Sequence, residues 1–159
     1  MNYRPAQLSL KPLREIAPGS ICRILSARGD IDLFIRGGEM PSGKILQVFL
    51  GGEHHLRFAP FEIETLALVV AEADQVVLEL GNRQLDARSA EFGMMAIGIS
   101  GAAISIKGIG HDQKVVLSLD SWLSVDQDFL EGPLVFFDGW NLGRVNSAGA
   151  FERISGSAP

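Results

Sequence analysis

Gly38-x-x-x-x-Gly43-Lys44 has almost the spacing of a phosphate-cradling glycine loop. That chemistry needs a strand before the loop and a helix after it, so that backbone N–H groups and the helix N-terminus face the phosphates. It also needs a Ser or Thr after the lysine to hold Mg²⁺. Here Lys44 is followed by Ile45, and ILQVFLGG reads as a strand ending in glycines. The stretch therefore predicts a hairpin and no nucleotide triphosphate site: strand 31–36, loop GGEMPSG, strand 44–50.

Metal ligation is the second chemistry to weigh. The histidines are His54, His55 and His111. On a strand, His54 and His55 point to opposite faces, so one metal cannot take both without a bulge. Glu53 and His55 share a face, and His111 beside Asp112 would complete a set if a sheet brought them together. The His-x-His spacing of a strong site is missing, and exposed strand-end histidines are the simpler reading. DID (30–32) and DQD (126–128) pair carboxylates without the twelve-residue loop of an EF-hand, so solvated carboxylates are expected. No G-x-S-x-G nucleophile elbow occurs. Arg28-Gly29-Asp30 reads as a turn. Cys22 lies in the apolar run ICRIL, which predicts a buried, inert thiol. Trp122 and Trp140 would stack on sugar rings if exposed, although core tryptophans are the commoner case.

The elements that must position these residues are strands. IDLFI (31–35), KILQVFL (44–50), VVLEL (76–80), ISIK (104–107) and KVVLSL (114–119) alternate with a period of two. Turn signals fall between them at Arg28-Gly29-Asp30, Gly51-Gly52, Gly81-Asn82, Ser100-Gly101 and Gly110-His111-Asp112, close to every ten residues. LVFF-DG-WNL (134–142) predicts a type I′ hairpin with Asp138-Gly139 at positive φ. LKPLREIA (10–17) is expected to form one or two helical turns. PFEIETLALVVAEA (60–73) fits a helix started by Pro60, or a buried strand over 65–71. The strand is preferred because LALVV runs into a turn at Ala73-Asp74. GMMAIGISGAAISI (93–106) is too short to span a bilayer as a helix, and its Gly and Ser residues suit a tight hairpin. No fixed-period repeat is present.

At 159 residues the chain suits one domain, able to bury about 70% of its unfolded surface. The reading assigns 1–18 to an N-terminal extension, 19–154 to a single β domain and 155–159 to a frayed tail. A net charge of −5 and four scattered lysines exclude the basic face that nucleic acid or an anionic membrane needs. The first residues hold no apolar core segment of a secretory signal, so a cytoplasmic protein is expected. Apolar strands such as LVFF need covering, which points to a homo-oligomer.

Residues 24–80, ILSARGDIDLF through QVVLEL, resemble the β-roll of cyclic-nucleotide-binding domains. Gly29-Asp30-Ile31-Asp32-Leu33 stands where that family has its glycine-led alternating strand. GKILQVFLGG matches its strand ending in glycine, and TLALVVAEADQVVLEL its later apolar strand. The cupins share this rolled architecture. The resemblance implies a nucleotide cassette with a Gly-Glu on the ribose and an arginine on the cyclic phosphate. This chain instead reads HHLRFAPFEIET, where Arg57 and Glu62 are the only candidates, in the reverse order and without the glycine.

Together these readings predict an all-β protein: a rolled, jelly-roll-like sandwich or barrel of about ten short strands, with little helix. The expected function is a non-enzymatic binding or regulatory module with a degenerate nucleotide site and no cofactor. The alternatives are a cupin-type metal enzyme using Glu53, His55 and His111, and a carbohydrate-binding module using Trp140.

Overall fold

The computed structural model describes residues 10–25, 31–84, 91–110, 112–125 and 132–158. Arg28-Gly29-Asp30, His111 and the DQD at 126–128 lie outside the described residues, as do Gly29 and Asp30 of the family-like strand.

Among the described residues the protein is all-β, with helix limited to three single 3₁₀ turns at Leu13–Glu15, Gly52–His54 and Ala73–Gln75. The first half of one large sheet contains β1 (Leu10–Pro12), β2 (Ile21–Leu25), β3 (Ile31–Glu39), β4 (Ile45–Phe49), β5 (Arg57–Phe61) and β6 (Leu66–Ala71). They run antiparallel in the spatial order β1-β6-β2-β3-β4-β5. β7 (Val76–Leu80) follows β6 through the turn at 73–75, and β8 (Arg83–Gln84) follows β7. The second half adds β9 (Met95–Gly98), β10 (Gly101–Gly108), β11 (Lys114–Ser118), β12 (Ser124–Val125) and β13 (Val135–Phe137). Its order is β8-β13-β9-β10-β11-β12, again antiparallel. The halves join where β10 runs parallel to β5, with Lys107 opposite Arg57 and Gly108 opposite Phe58. A second sheet holds β7, β14 (Trp140–Val145) and β15 (Phe151–Gly156) in the order β15-β14-β7. The sheets pack as a sandwich and do not close into a barrel.

The fifteen strands among the described residues exceed the expected ten because some are very short, β8 and β12 being two residues each, too short to show a period. Residues 60–73 form no α-helix; Pro60 lies inside β5 and the preferred strand is β6. The hairpin at 93–106 is β9 and β10, closed by Ile99-Ser100 between paired Gly98 and Gly101. Residues 10–16, read from sequence as an extension, are part of the packing. β1 pairs with β6, and Leu13 and Ile16 are buried with Cys22, Phe34 and Ile45 on the outer face of the first half-sheet.

The predicted type I′ hairpin at Asp138-Gly139 does not form. Neither residue has positive φ, and the flanking strands belong to different sheets. β14 pairs with β7 up to Trp140 opposite Leu80, and β13 pairs with β8 from Phe137 opposite Arg83. The register is continuous across the gap, which puts Gly139 opposite Gly81 and Asp138 opposite Asn82. These residues bend one antiparallel ribbon from the small sheet into the large one. The Gly81 N–H donates to the Gly139 carbonyl at 2.6 Å and the Asp138 N–H to the Asn82 carbonyl at 3.3 Å. A side chain on Gly81 would meet the Gly139 carbonyl oxygen at 2.7 Å. Pairing with β8 and β9 on both sides, and burial of Phe136, outweigh the local turn preference. LVFF is therefore an interior strand, so the apolar edge that suggested a homo-oligomer is covered by the chain itself.

Candidate functional site

Alternation along the strands sends one set of side chains into the space between the sheets. Ile35 and Val48 come from β3 and β4, Met95, Ile104 and Leu117 from β9, β10 and β11, and Trp140 and Leu142 from β14. With Leu56 they form the buried floor and walls of a cavity of about 250 Å³. The half-buried Ala73, Val76, Leu78, Leu119 and Trp122, with Gly19, form its outer end, so the mouth lies where the 73–75 turn faces the 119–123 turn. Every lining side chain is apolar or indole. The Trp140 Nε1–H donates to the Gly93 carbonyl at 2.8 Å, so this donor is already satisfied.

Leu56 and Trp122 have φ of 57° and 56°, and they are the only non-glycine residues in the left-handed region among those described. Both line the cavity. Such a conformation in a bulky residue costs about 1–3 kcal/mol and persists only where surrounding contacts impose it. For Leu56 those contacts are its N–H to the Phe49 carbonyl at 2.8 Å and its carbonyl, which accepts the Lys107 N–H at 3.3 Å. For Trp122 they are its N–H to the Ser118 carbonyl at 2.9 Å and its carbonyl, which accepts the Gly38 N–H at 2.8 Å.

Three glycines seat this turn. A Cβ on Gly19 (φ 91°) would lie 2.8 Å from the Trp122 Nε1, and one on Gly37 would lie 2.9 Å from the Trp122 carbonyl oxygen. A Cβ on Gly38 would lie 2.6 Å from Leu123 Cγ. The glycine that opened the phosphate-loop-like stretch thus admits the Trp122 turn against β3. Gly43 (φ 80°) closes the β3–β4 hairpin. β4 follows Lys44 where a phosphate loop would need a helix, and Lys44 pairs with Glu62 at 2.9 Å on the surface.

The residues singled out from sequence are mostly elsewhere. Arg57 sits at the β5–β10 junction, donating to the Gly108 carbonyl at 3.0 Å and to Asp112 at 3.4 Å. Glu62 is at the far end of β5 with Lys44, so these two do not converge and neither lines the cavity. Glu53 is turned to solvent beside His54 at 3.4 Å, whereas both His55 nitrogens are shielded from solvent. His111 lies outside the described residues, and no three potential ligands cluster among the described ones. Burial holds the His55 imidazole below its ordinary pKa. The backbone of Gly156 and Ser157 works against that shift, and Arg153 adds to it. Cys22 is buried as expected, and burial, with Glu72 adding and Arg36 opposing, pushes its thiol up to about 12. Trp140 is 2% exposed and so has no face for a sugar arriving from solvent.

The sequence reading missed Leu56, Met95 and Leu117, because an apolar residue facing a cavity has the same pattern as one facing a filled core. Trp122 was singled out only as an aromatic residue that would stack on a sugar ring if exposed. No family model, no curated protein and no solved structure matches the chain.

Proposed function

We propose that the protein is a non-enzymatic binding module that holds a small molecule inside its β-roll. The observation that carries this reading is the cavity of about 250 Å³ between the sheets. Close-packed interiors contain few voids larger than a water molecule, and an apolar void forfeits the contacts its lining would otherwise make. Two backbone positions held in an uncommon conformation face the same space, and such positions cluster at ligand sites. No acid, base or nucleophile is among the lining residues, which favours binding over catalysis. In the arrangement proposed, a ligand passes Trp122 and rests on Trp140.

Both tryptophans line the cavity, so intrinsic fluorescence reports its occupancy. A set of small neutral molecules is expected to include members that change the emission saturably and raise the melting temperature by mass action. The change should be weakened in Val48→Phe, whose larger ring takes up part of the cavity. If no member does this, or if the response persists unaltered in Val48→Phe, the interior is not a binding site.

A further inference from the structure

We infer that the ligand is a compact, uncharged molecule whose inner end is hydrocarbon, about the size of one aromatic ring with a short alkyl chain. This deepens the proposed function and rests on it. The inner end of the cavity offers a ligand no hydrogen-bonding side chain, because the Trp140 indole N–H is occupied by the Gly93 carbonyl and the neighbouring walls are Met95, Ile104 and Leu117. A ligand polar atom placed there would lose its water without gaining a partner, and a charged group would lose far more. Size sets the second limit. An engineered apolar cavity of about 150 Å³ accommodates benzene. The present cavity, about 250 Å³, leaves room beyond one ring for a few carbons. A nucleotide exceeds that volume and brings charge.

Orientation follows from the gradient of burial. The floor is closed by fully buried side chains, and the outer end by the half-buried Leu119 and Trp122. Any polar substituent must therefore point past Trp122 toward solvent. Aromatic contact with the two indoles favours a flat ring over a branched alkane of equal volume.

The test uses the full chain with ¹³C-labelled methyl groups on Ile, Leu, Val and Met, titrated with ethylbenzene, butylbenzene and benzoate. Ethylbenzene and butylbenzene should shift the methyl signals of Met95, Ile104 and Leu117 saturably, with benzoate at least tenfold weaker. Val48→Phe should weaken ethylbenzene at least tenfold; should that variant not fold, Ala73→Leu at the mouth serves the same purpose. If benzoate binds as tightly as ethylbenzene, the ligand class is wrong while interior binding stands. If neither hydrocarbon moves those methyl signals in a folded sample but a polar molecule does, the class is again overturned. If nothing moves them, the interior-binding reading falls with it.

Discussion

His55 shows how one half-buried side chain, with both ring nitrogens shielded from solvent, links packing to pH. Its neutral ring is the favoured form because burial lowers its pKa in the folded protein. As pH falls, the unfolded chain takes up this proton first. The contribution of the neutral ring is therefore complete above about pH 6.5, the unfolded value, and declines as pH drops below it. The melting temperature should fall between pH 7 and pH 5 more steeply in the native protein than in His55→Phe, as followed by calorimetry. Equal slopes would mean that His55 titrates as an exposed histidine. Gly19 carries a different constraint. Its φ of 91° and the indole 2.8 Å from its absent Cβ both exclude a side chain. Gly19→Ala should cost more than about 1 kcal/mol in urea unfolding, the scale for a residue forced into an incompatible conformation. It should also displace Trp122, with a red shift in emission.

The elements differ in how far local sequence decides them. The ribbon formed by β7–β8 and β13–β14 makes a sharp distinction between two glycines. Gly81 has the Gly139 carbonyl oxygen 2.7 Å from its would-be Cβ, whereas a Cβ on Gly139 finds its nearest neighbour at 3.6 Å. Gly81→Ala should destabilise by about 1–3 kcal/mol, as for overpacking against backbone. Gly139→Ala should stay within about 0.5 kcal/mol. A type I′ hairpin would reverse the emphasis, since it needs positive φ at Gly139. Denaturant midpoints of the two variants decide between these geometries. The β3–β4 hairpin gives the complementary case. Lys44 is an exposed partner of Glu62, so Lys44→Ala should change stability by no more than about 0.5 kcal/mol. ATP should leave the melting temperature of both proteins unchanged; a shift lost in the variant would restore the phosphate-loop reading.

At the scale of the whole molecule, the question is which charges meet which cavity. A cyclic nucleotide needs a cation on its phosphate and an acceptor on its ribose, and an arginine–phosphate pair is among the stronger polar contacts. Arg57 and Glu62 sit at opposite ends of β5, each with a protein partner, and the interior between the sheets is apolar. Cyclic AMP and cyclic GMP should therefore bind no tighter than about millimolar by titration calorimetry, the affinity of a few kcal/mol of residual contact. A micromolar constant abolished by Arg57→Ala would contradict this arrangement. Among the described residues no helix is long and apolar enough to cross a membrane.

The all-β class, the 44–50 strand after Lys44, the strand preference for LALVV and the inert Cys22 were legible in the sequence. Each depends on neighbours a few residues apart: a period of two, a glycine, an apolar flank. Sheet membership was not legible. Asp138-Gly139 looks like a hairpin turn locally, yet β13 is claimed by β8 and β9, strands about fifty and forty residues earlier in the chain. The cavity belongs wholly to the tertiary structure. An inward-facing Leu117 or Met95 reads the same whether atoms or space lie opposite it. Trp122 became a mouth residue only when distant glycines at 19, 37 and 38 let its turn dock against β3. Alternation decides which face of a strand is apolar, but only the packing of the two sheets decides whether that face meets another side chain or a void.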